Sequence, residues 1–138
     1  MKYFSILKIY PFFALLSILF MLVMQACETD PGEGGTSFIT GKVYVKEING
    51  SGLVTAEYYA PDERVYILYD ADDIYDEETR TSFNGMYQFK YLRKGIYRIY
   101  AYSDVSIVNN FQEPVIVEVE ITENHQEVTA PEIVIERR

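Results

Sequence analysis

The sequence predicts an all-β protein, an antiparallel β-sandwich of about seven strands, from three observations. From Phe38 onward, apolar and polar residues alternate in short runs, which is typical of strands with one face on a core and the other in water. Turn-forming residues such as Asn, Gly and Pro separate these runs at short intervals. No stretch after residue 26 has a clear 3.6-residue apolar period, so we expect strands throughout. Short strands at this spacing favour a sandwich.

Residues 1–26 have the pattern of a secretory signal peptide. Lys2 and Lys8 precede an uncharged, mostly apolar run at residues 11–24. That run is shorter than the roughly 20 residues of a comfortable membrane-spanning helix. Cleavage and export are therefore predicted, with an uncleaved N-terminal anchor as the alternative.

Cys27 is the only cysteine and directly follows this segment, after Ala26. The arrangement resembles the signal of bacterial lipoproteins, in which a Cys at the cleavage point is lipidated and becomes the first residue. Met24 and Gln25 depart from the residues usual at those positions. The resemblance implies that lipid on Cys27 holds the protein to a membrane of the cell envelope, with the outer membrane and the cell surface as the expected location.

The next residues, 28–37, read as a flexible tether, because they contain Pro31 and three glycines and no apolar segment. The predicted organisation is a signal peptide at 1–26, a lipidated Cys with an acidic tether at 27–37, and a sandwich domain at 38–138. The acidic residues near the Cys are similar to a surface-export signal of some outer-membrane lipoproteins, with a plain solvated tether as the alternative. They are Glu28, Asp30 and Glu33.

The predicted strands follow in chain order, each with one apolar face. Their alternating stretches lie at residues 39–45, 65–69, 86–91, 97–101, 115–121 and 133–135. Within them, residues 85–99 carry the most specific pattern. Asn84-Gly85 predicts a tight hairpin turn, since Gly readily takes a positive φ. We expect the aromatic residues and the Leu of this stretch in the core, the second glycine at a chain reversal, and a partner for any buried tyrosine hydroxyl. The motif residues are Gly85, Tyr87, Phe89, Leu92, Gly95 and Tyr97.

This spacing resembles the carboxypeptidase regulatory-like and Cna B-type domains, which share a prealbumin-like, immunoglobulin-like sandwich. Residues 41–45 and 64–67 are similar to the first and second strands of those domains. The resemblance implies structural roles for the motif. A prealbumin-like hydrolase of the urate pathway is the enzymatic relative, but its characteristic His and Arg residues and Tyr-Arg-Gly-Ser tail have no match here. We therefore expect no enzyme.

Composition excludes further functions. The chain of 138 residues has one His, one Cys and no Trp, which leaves no His-rich metal site, disulfide framework or Cys–His nucleophile pair within the domain. Asp and Glu number 21 against 12 Lys and Arg, for a net charge of −9. So acidic a chain disfavours nucleic acid and anionic lipid headgroups as partners.

Two groups of residues are candidate sites. Tyrosines of opposite parity to the inward residues are expected on outer sheet faces, where they suit contact with a sugar or a protein; cross-strand packing is the alternative. These are Tyr44, Tyr66, Tyr100 and Tyr102. Clustered carboxylates between two strands form a hypothetical weak Ca²⁺ site, with a solvated acidic connection as the alternative. They are Asp70, Asp72, Asp73 and Asp76.

Taken together, these features predict a non-catalytic, lipid-anchored binding or scaffold module of the cell envelope, which presents one sandwich to a protein or glycan partner. An accessory or regulatory domain of a separately encoded envelope hydrolase is the alternative. No cofactor is expected apart from weakly bound calcium.

Overall fold

The strands of this protein lie in two β-sheets that pack face to face, in a computed structural model that describes residues 30–69, 74–106 and 111–138. The predicted all-β sandwich is confirmed, with nine strands in the described residues. They are β1 (Glu33–Ile48), β2 (Val54–Tyr59), β3 (Arg64–Leu68), β4 (Glu77–Arg80), β5 (Met86–Leu92), β6 (Gly95–Asp104), β7 (Gln112–Ile121), β8 (Glu127–Thr129) and β9 (Ile133–Arg137). Within residues 30–69, 74–106 and 111–138, no helical segment meets the length and hydropathy of a membrane span.

The first sheet is built around β1. Strands β2 and β5 pair with β1 antiparallel, and β8 and β9 pair with it parallel. The second sheet has the antiparallel order β4-β3-β6-β7. The two parallel pairs differ from the predicted all-antiparallel arrangement. They arise because the chain leaves β7 in the second sheet and crosses to the first sheet near the start of β1, where Phe38 pairs with Glu127.

The core lies between the sheets and is filled by the alternating apolar residues of both. Ile39 and Val43 from the first sheet and Ile67 and Ile99 from the second are fully buried. The side chains of the sequence motif also lie inside the sandwich, where they add the large aromatic volume. Tyr87, Phe89, Leu92 and Tyr97 are at most 2% exposed.

The folded domain begins earlier than the sequence predicts, so the assignment of residues 31–37 to a flexible tether is wrong. The Gly32 carbonyl accepts a hydrogen bond from the Arg93 N–H at 2.9 Å, and the Gly32 N–H donates to the Tyr97 hydroxyl at 3.1 Å. A Cβ on Gly35 would collide with the backbone at Leu92. Gly35 thus serves the close approach of two backbones, and Gly32 and Gly34 have φ values of 142° and 95°, which favour glycine.

The predicted hairpin at Asn84-Gly85 is a turn between the two sheets. Gly85 has a φ of 75° as expected, and its N–H donates to the Ser82 carbonyl at 2.9 Å. However, β4 on one side of the turn belongs to the second sheet, and β5 on the other side pairs with β1. The Gly85 carbonyl accepts from the Val43 N–H at 3.0 Å, which directs β5 to the first sheet. Gly95, with a φ of 146°, returns the chain to the second sheet.

Candidate functional site

Four tyrosines meet on the outer face of the second sheet, and we refer to them as the tyrosine cluster. Tyr66 on β3 lies directly opposite Tyr100 on β6. Their chain neighbours Ile67 and Ile99 are fully buried in the core, so alternation turns these two rings outward. Tyr102 lies two residues further along β6, on the same face, and Tyr75 comes just before β4.

The rings of the cluster contact one another closely. Tyr66 stacks on Tyr100 with ring centroids 5.0 Å apart and planes inclined by 19°. Tyr102 meets both rings edge-on, at 5.7 Å from Tyr66 and 5.5 Å from Tyr100. Tyr75 lies 4.8 Å from Tyr66 on the other side. Such offset and edge-to-face geometries are favourable for aromatic pairs, so the four rings stabilise one another as one contiguous surface.

The cluster has a buried floor and an exposed rim. Tyr100 is only 7% exposed, whereas Tyr75 and Tyr102 are 44% and 37% exposed. Burial raises the pKa of the Tyr100 hydroxyl to about 12, and its hydrogen bond with Tyr102 contributes in the same direction. The Tyr100 hydroxyl is therefore protonated near neutral pH and can donate a hydrogen bond.

Charged and apolar side chains border the rings. Arg64 forms a hydrogen bond with Tyr66 and an ion pair with Glu78 at 3.9 Å. Both interactions raise the pKa of Arg64, the hydrogen bond with Tyr66 more than the charge of Glu78. On the opposite side, Ile116 on β7 pairs in register with Tyr100 and is 49% exposed. The surface thus combines aromatic faces with hydrogen-bonding groups at its edge.

The four tyrosines predicted from the sequence do not form one surface. Tyr66, Tyr100 and Tyr102 come together, but Tyr44 belongs to the first sheet. There it contacts Tyr59 edge-on at 5.3 Å, and the Lys42 Nζ lies 4.5 Å from the centre of the Tyr59 ring. Tyr75 was missed because it lies in the acidic stretch before β4, which offers no strand periodicity that could assign it a face.

Other predicted site residues fall largely outside the described residues. These include Cys27 and three members of the hypothetical calcium site, Asp70, Asp72 and Asp73. The fourth, Asp76, accepts a hydrogen bond from the Tyr69 N–H at 2.7 Å. Among residues 30–69, 74–106 and 111–138, no group of three or more His, Cys, Asp or Glu residues is placed to hold a metal ion.

Two open grooves lie elsewhere on the surface of the domain. One, of about 580 Å³, runs between the edge strands β4 and β5 and is lined mainly by polar residues, among them Thr40, Thr79 and Gln88. The other, of about 920 Å³, lies at the end of the sandwich where β1 begins, and Pro31, Arg93 and His125 line it. Neither groove contains the aromatic surface described above.

The chain is similar to a solved structure of low sequence identity. No protein-family model matches the chain, and no curated protein matches it. A crystal structure of a candidate carbohydrate-binding protein from Pseudomonas aeruginosa is similar, at 16% sequence identity and a TM-score of 0.46, over 77% of this chain and 91% of that one. A likeness of this size assigns neither a family nor a ligand to this chain.

Proposed function

We propose that the protein is a non-catalytic binding module, anchored by lipid to the bacterial cell envelope, that binds carbohydrate on the tyrosine cluster. The observation that carries this proposal is the contiguous set of four rings on an outer sheet face, with Tyr75 and Tyr102 partly exposed. A module that needs no catalytic residues agrees with the resemblance of residues 85–99 to prealbumin-like domains. The anchor rests on Cys27 and the signal-like segment before it.

The chemistry of the cluster suits a sugar. Aromatic faces pack well against the C–H faces of a pyranose ring, and tyrosine hydroxyls both donate and accept hydrogen bonds. Arg64 and Glu78 at the edge add a fixed donor group and an acceptor group for sugar hydroxyls. Because the rings already hold one another in place, binding costs little side-chain entropy.

The size of the cluster also favours a glycan over a protein partner. A stable protein interface buries about 800 Å² on each side. A fully exposed aromatic side chain offers about 150–250 Å², so the exposed parts of Tyr75 and Tyr102 provide on the order of 200 Å². That area matches one or two sugar rings better than a folded domain.

The test is binding of the purified domain to an array of immobilised oligosaccharides, with variants compared on every positive glycan. The double variant Tyr75→Ala/Tyr102→Ala removes the exposed rim and leaves Tyr100 in place. We expect it to lower affinity about tenfold or more, since aromatic contacts contribute about 0.5–1.5 kcal/mol each. Phe83→Ala is the matched control, because Phe83 is 93% exposed and lies in the turn between β4 and β5.

Two results would contradict the proposal. One is the absence of binding to any oligosaccharide by folded wild-type protein. The other is binding that the rim variant and the Phe83 control affect equally, which would move the site away from the cluster.

A further inference from the structure

We propose that the end of the sandwich where β1 begins lies against the lipid headgroups of the bilayer that anchors the protein, which holds the tyrosine cluster to one side and clear of the membrane. This placement rests on the proposed lipid anchor at Cys27. The surface concerned consists of Pro31, the β5–β6 turn at Arg93 and Lys94, and the β7–β8 turn at Asn124 and His125, which together line the groove at this end.

The stretch of chain between the proposed anchor and the folded domain is short. Gly32 is held by two backbone hydrogen bonds, to Arg93 and to the Tyr97 hydroxyl. Pro31 packs against Gly95, where an added Cβ would meet it at 2.5 Å. Only Glu28 and Thr29 separate Cys27 from Asp30, so these residues span at most about 11 Å when fully extended. A ten-residue tether would leave the domain free to tumble, whereas this short connection brings one end to the headgroups.

The charged residues at that end of the sandwich are of both signs. Arg93 and Lys94 carry positive charge at this groove, but the carboxylates of Asp30 and Glu120 line it as well. Attraction to phosphate is therefore not what holds the end in place. The covalent anchor does so, which reconciles membrane proximity with the acidic charge of the whole chain.

The tyrosine cluster lies well along the sandwich from this end. Strand β6 starts at this end with Gly95 and runs away from it, so Tyr100 and Tyr102 lie about 17 and 23 Å further along at about 3.3 Å per residue. The turn after β1, which contains Ser51, lies about 36 Å from Ser37 by the same measure, because residues 33–37 bulge beside Leu92 and add little length. The cluster thus stands above the headgroups, on a side of the sandwich that the bilayer does not cover.

The test uses the full chain, produced in a Gram-negative host, extracted from membranes and reconstituted in phosphatidylethanolamine–phosphatidylglycerol vesicles with a nitroxide on some headgroups. A second cysteine replaces an exposed residue at either end, as Asn124→Cys or Ser51→Cys. Lipidation occupies the sulfur of Cys27, so a thiol-reactive fluorophore labels only the new site. We expect the label at 124 to lose most of its fluorescence to the nitroxide and the label at 51 to keep it.

A lengthened tether provides the control. Twenty Gly and Ser residues inserted between Thr29 and Asp30 have a root-mean-square span of about 25 Å, which lets the domain leave the surface. Quenching at 124 should then fall to the level seen at 51.

The outcomes separate this placement from the proposed function. Intact mass that includes the lipid, with equal quenching at both ends, would overturn the placement and leave the anchor standing. Intact mass without lipid would overturn the anchor and the placement together. Neither result affects the oligosaccharide array, which tests the tyrosine cluster alone.

Discussion

Two buried tyrosines of the same motif differ in what their hydroxyls contact. The Tyr97 hydroxyl accepts a hydrogen bond from the Gly32 N–H and donates one to the Arg93 carbonyl at 2.8 Å. The Tyr87 hydroxyl is buried and has no hydrogen-bond partner among the described residues. Its ring lies over Gly41 on the neighbouring strand, where a Cβ would collide with it. Tyr87 therefore fills the space that a glycine leaves in the sheet.

Replacement of each tyrosine by Phe should have opposite consequences. Tyr87→Phe removes an unpaired buried hydroxyl, so we expect the free energy of unfolding to stay the same or to rise by about 1 kcal/mol. Tyr97→Phe leaves the Gly32 N–H and the Arg93 carbonyl without their partner, so we expect a loss of about 1–3 kcal/mol. Urea denaturation of both variants measures the difference. A loss of stability as large for Tyr87→Phe as for Tyr97→Phe would contradict the assignment of partners.

The sequence predicts that a buried Tyr97 hydroxyl needs a partner, but it does not identify Gly32. The two residues are 65 positions apart, and a glycine-rich stretch that serves close backbone approach has the same composition as a flexible linker. The difference depends on what lies beside the glycines, which local sequence does not reveal.

Among the strands, β1 contributes most to the organisation of the domain. It pairs with four other strands, and Pro31 and Gly32 just before it contact Gly95 and Tyr97 at the start of β6. Ser37 in β1 is 1% exposed; its hydroxyl donates to the Glu123 carbonyl and accepts from the Gln126 N–H, both at 3.0 Å. The first half of β1 thus ties the β7–β8 turn to the rest of the fold.

A chain that starts at Phe38, the boundary predicted from the sequence, should therefore be less stable than one that starts at Asp30. The shorter chain lacks Gly32, which pairs with the Tyr97 hydroxyl and the Arg93 N–H, and Ser37, whose hydroxyl pairs with the Gln126 N–H. Each buried group left unpaired costs about 1–3 kcal/mol, so we expect a total loss of several kcal/mol. Thermal unfolding followed by circular dichroism compares the two chains. Equal midpoints would mean that residues 30–37 contribute nothing to the fold.

The strands predicted from the sequence are those with a complete apolar face. Strands β3, β5 and β6 alternate between buried and exposed positions, and the sequence shows that alternation directly. Strand β2 is almost entirely exposed, β4 has four residues, and β8 has three. These strands are held by backbone pairing with a neighbour, which leaves no apolar pattern in their own residues.

At the scale of the whole molecule, alternation predicted which tyrosines face outward but not which of them meet. Tyr66 and Tyr100 share a face because β3 pairs with β6, and Tyr44 is elsewhere because β1 belongs to the other sheet. Sheet membership follows from pairings distant in sequence, so no local pattern contains it. The candidate site could therefore be predicted as a residue type and an orientation, and its assembly required the fold.

The number of buried tyrosines gives the whole domain a characteristic response to alkaline pH. Burial is the largest cause that raises the pKa of Tyr69, Tyr87, Tyr97 and Tyr100 above the ordinary value of 10.0, and Tyr100 reaches about 12. Above pH 10 the unfolded chain releases protons that the folded chain still holds. The stabilisation from these tyrosines is therefore fully present below pH 10 and is lost as pH rises through their folded-state pKa values.

We expect the thermal midpoint to be insensitive to tyrosine ionisation up to about pH 10 and to decline steeply toward pH 12. The variant Tyr100→Phe lacks one of the hydroxyls whose ionisation favours unfolding. Its thermal midpoint should therefore decline less steeply between pH 10 and pH 12 than that of the wild type. If tyrosinate absorbance of the folded protein titrated completely near pH 10, with no change in the thermal midpoint, the burial of these hydroxyls would be refuted.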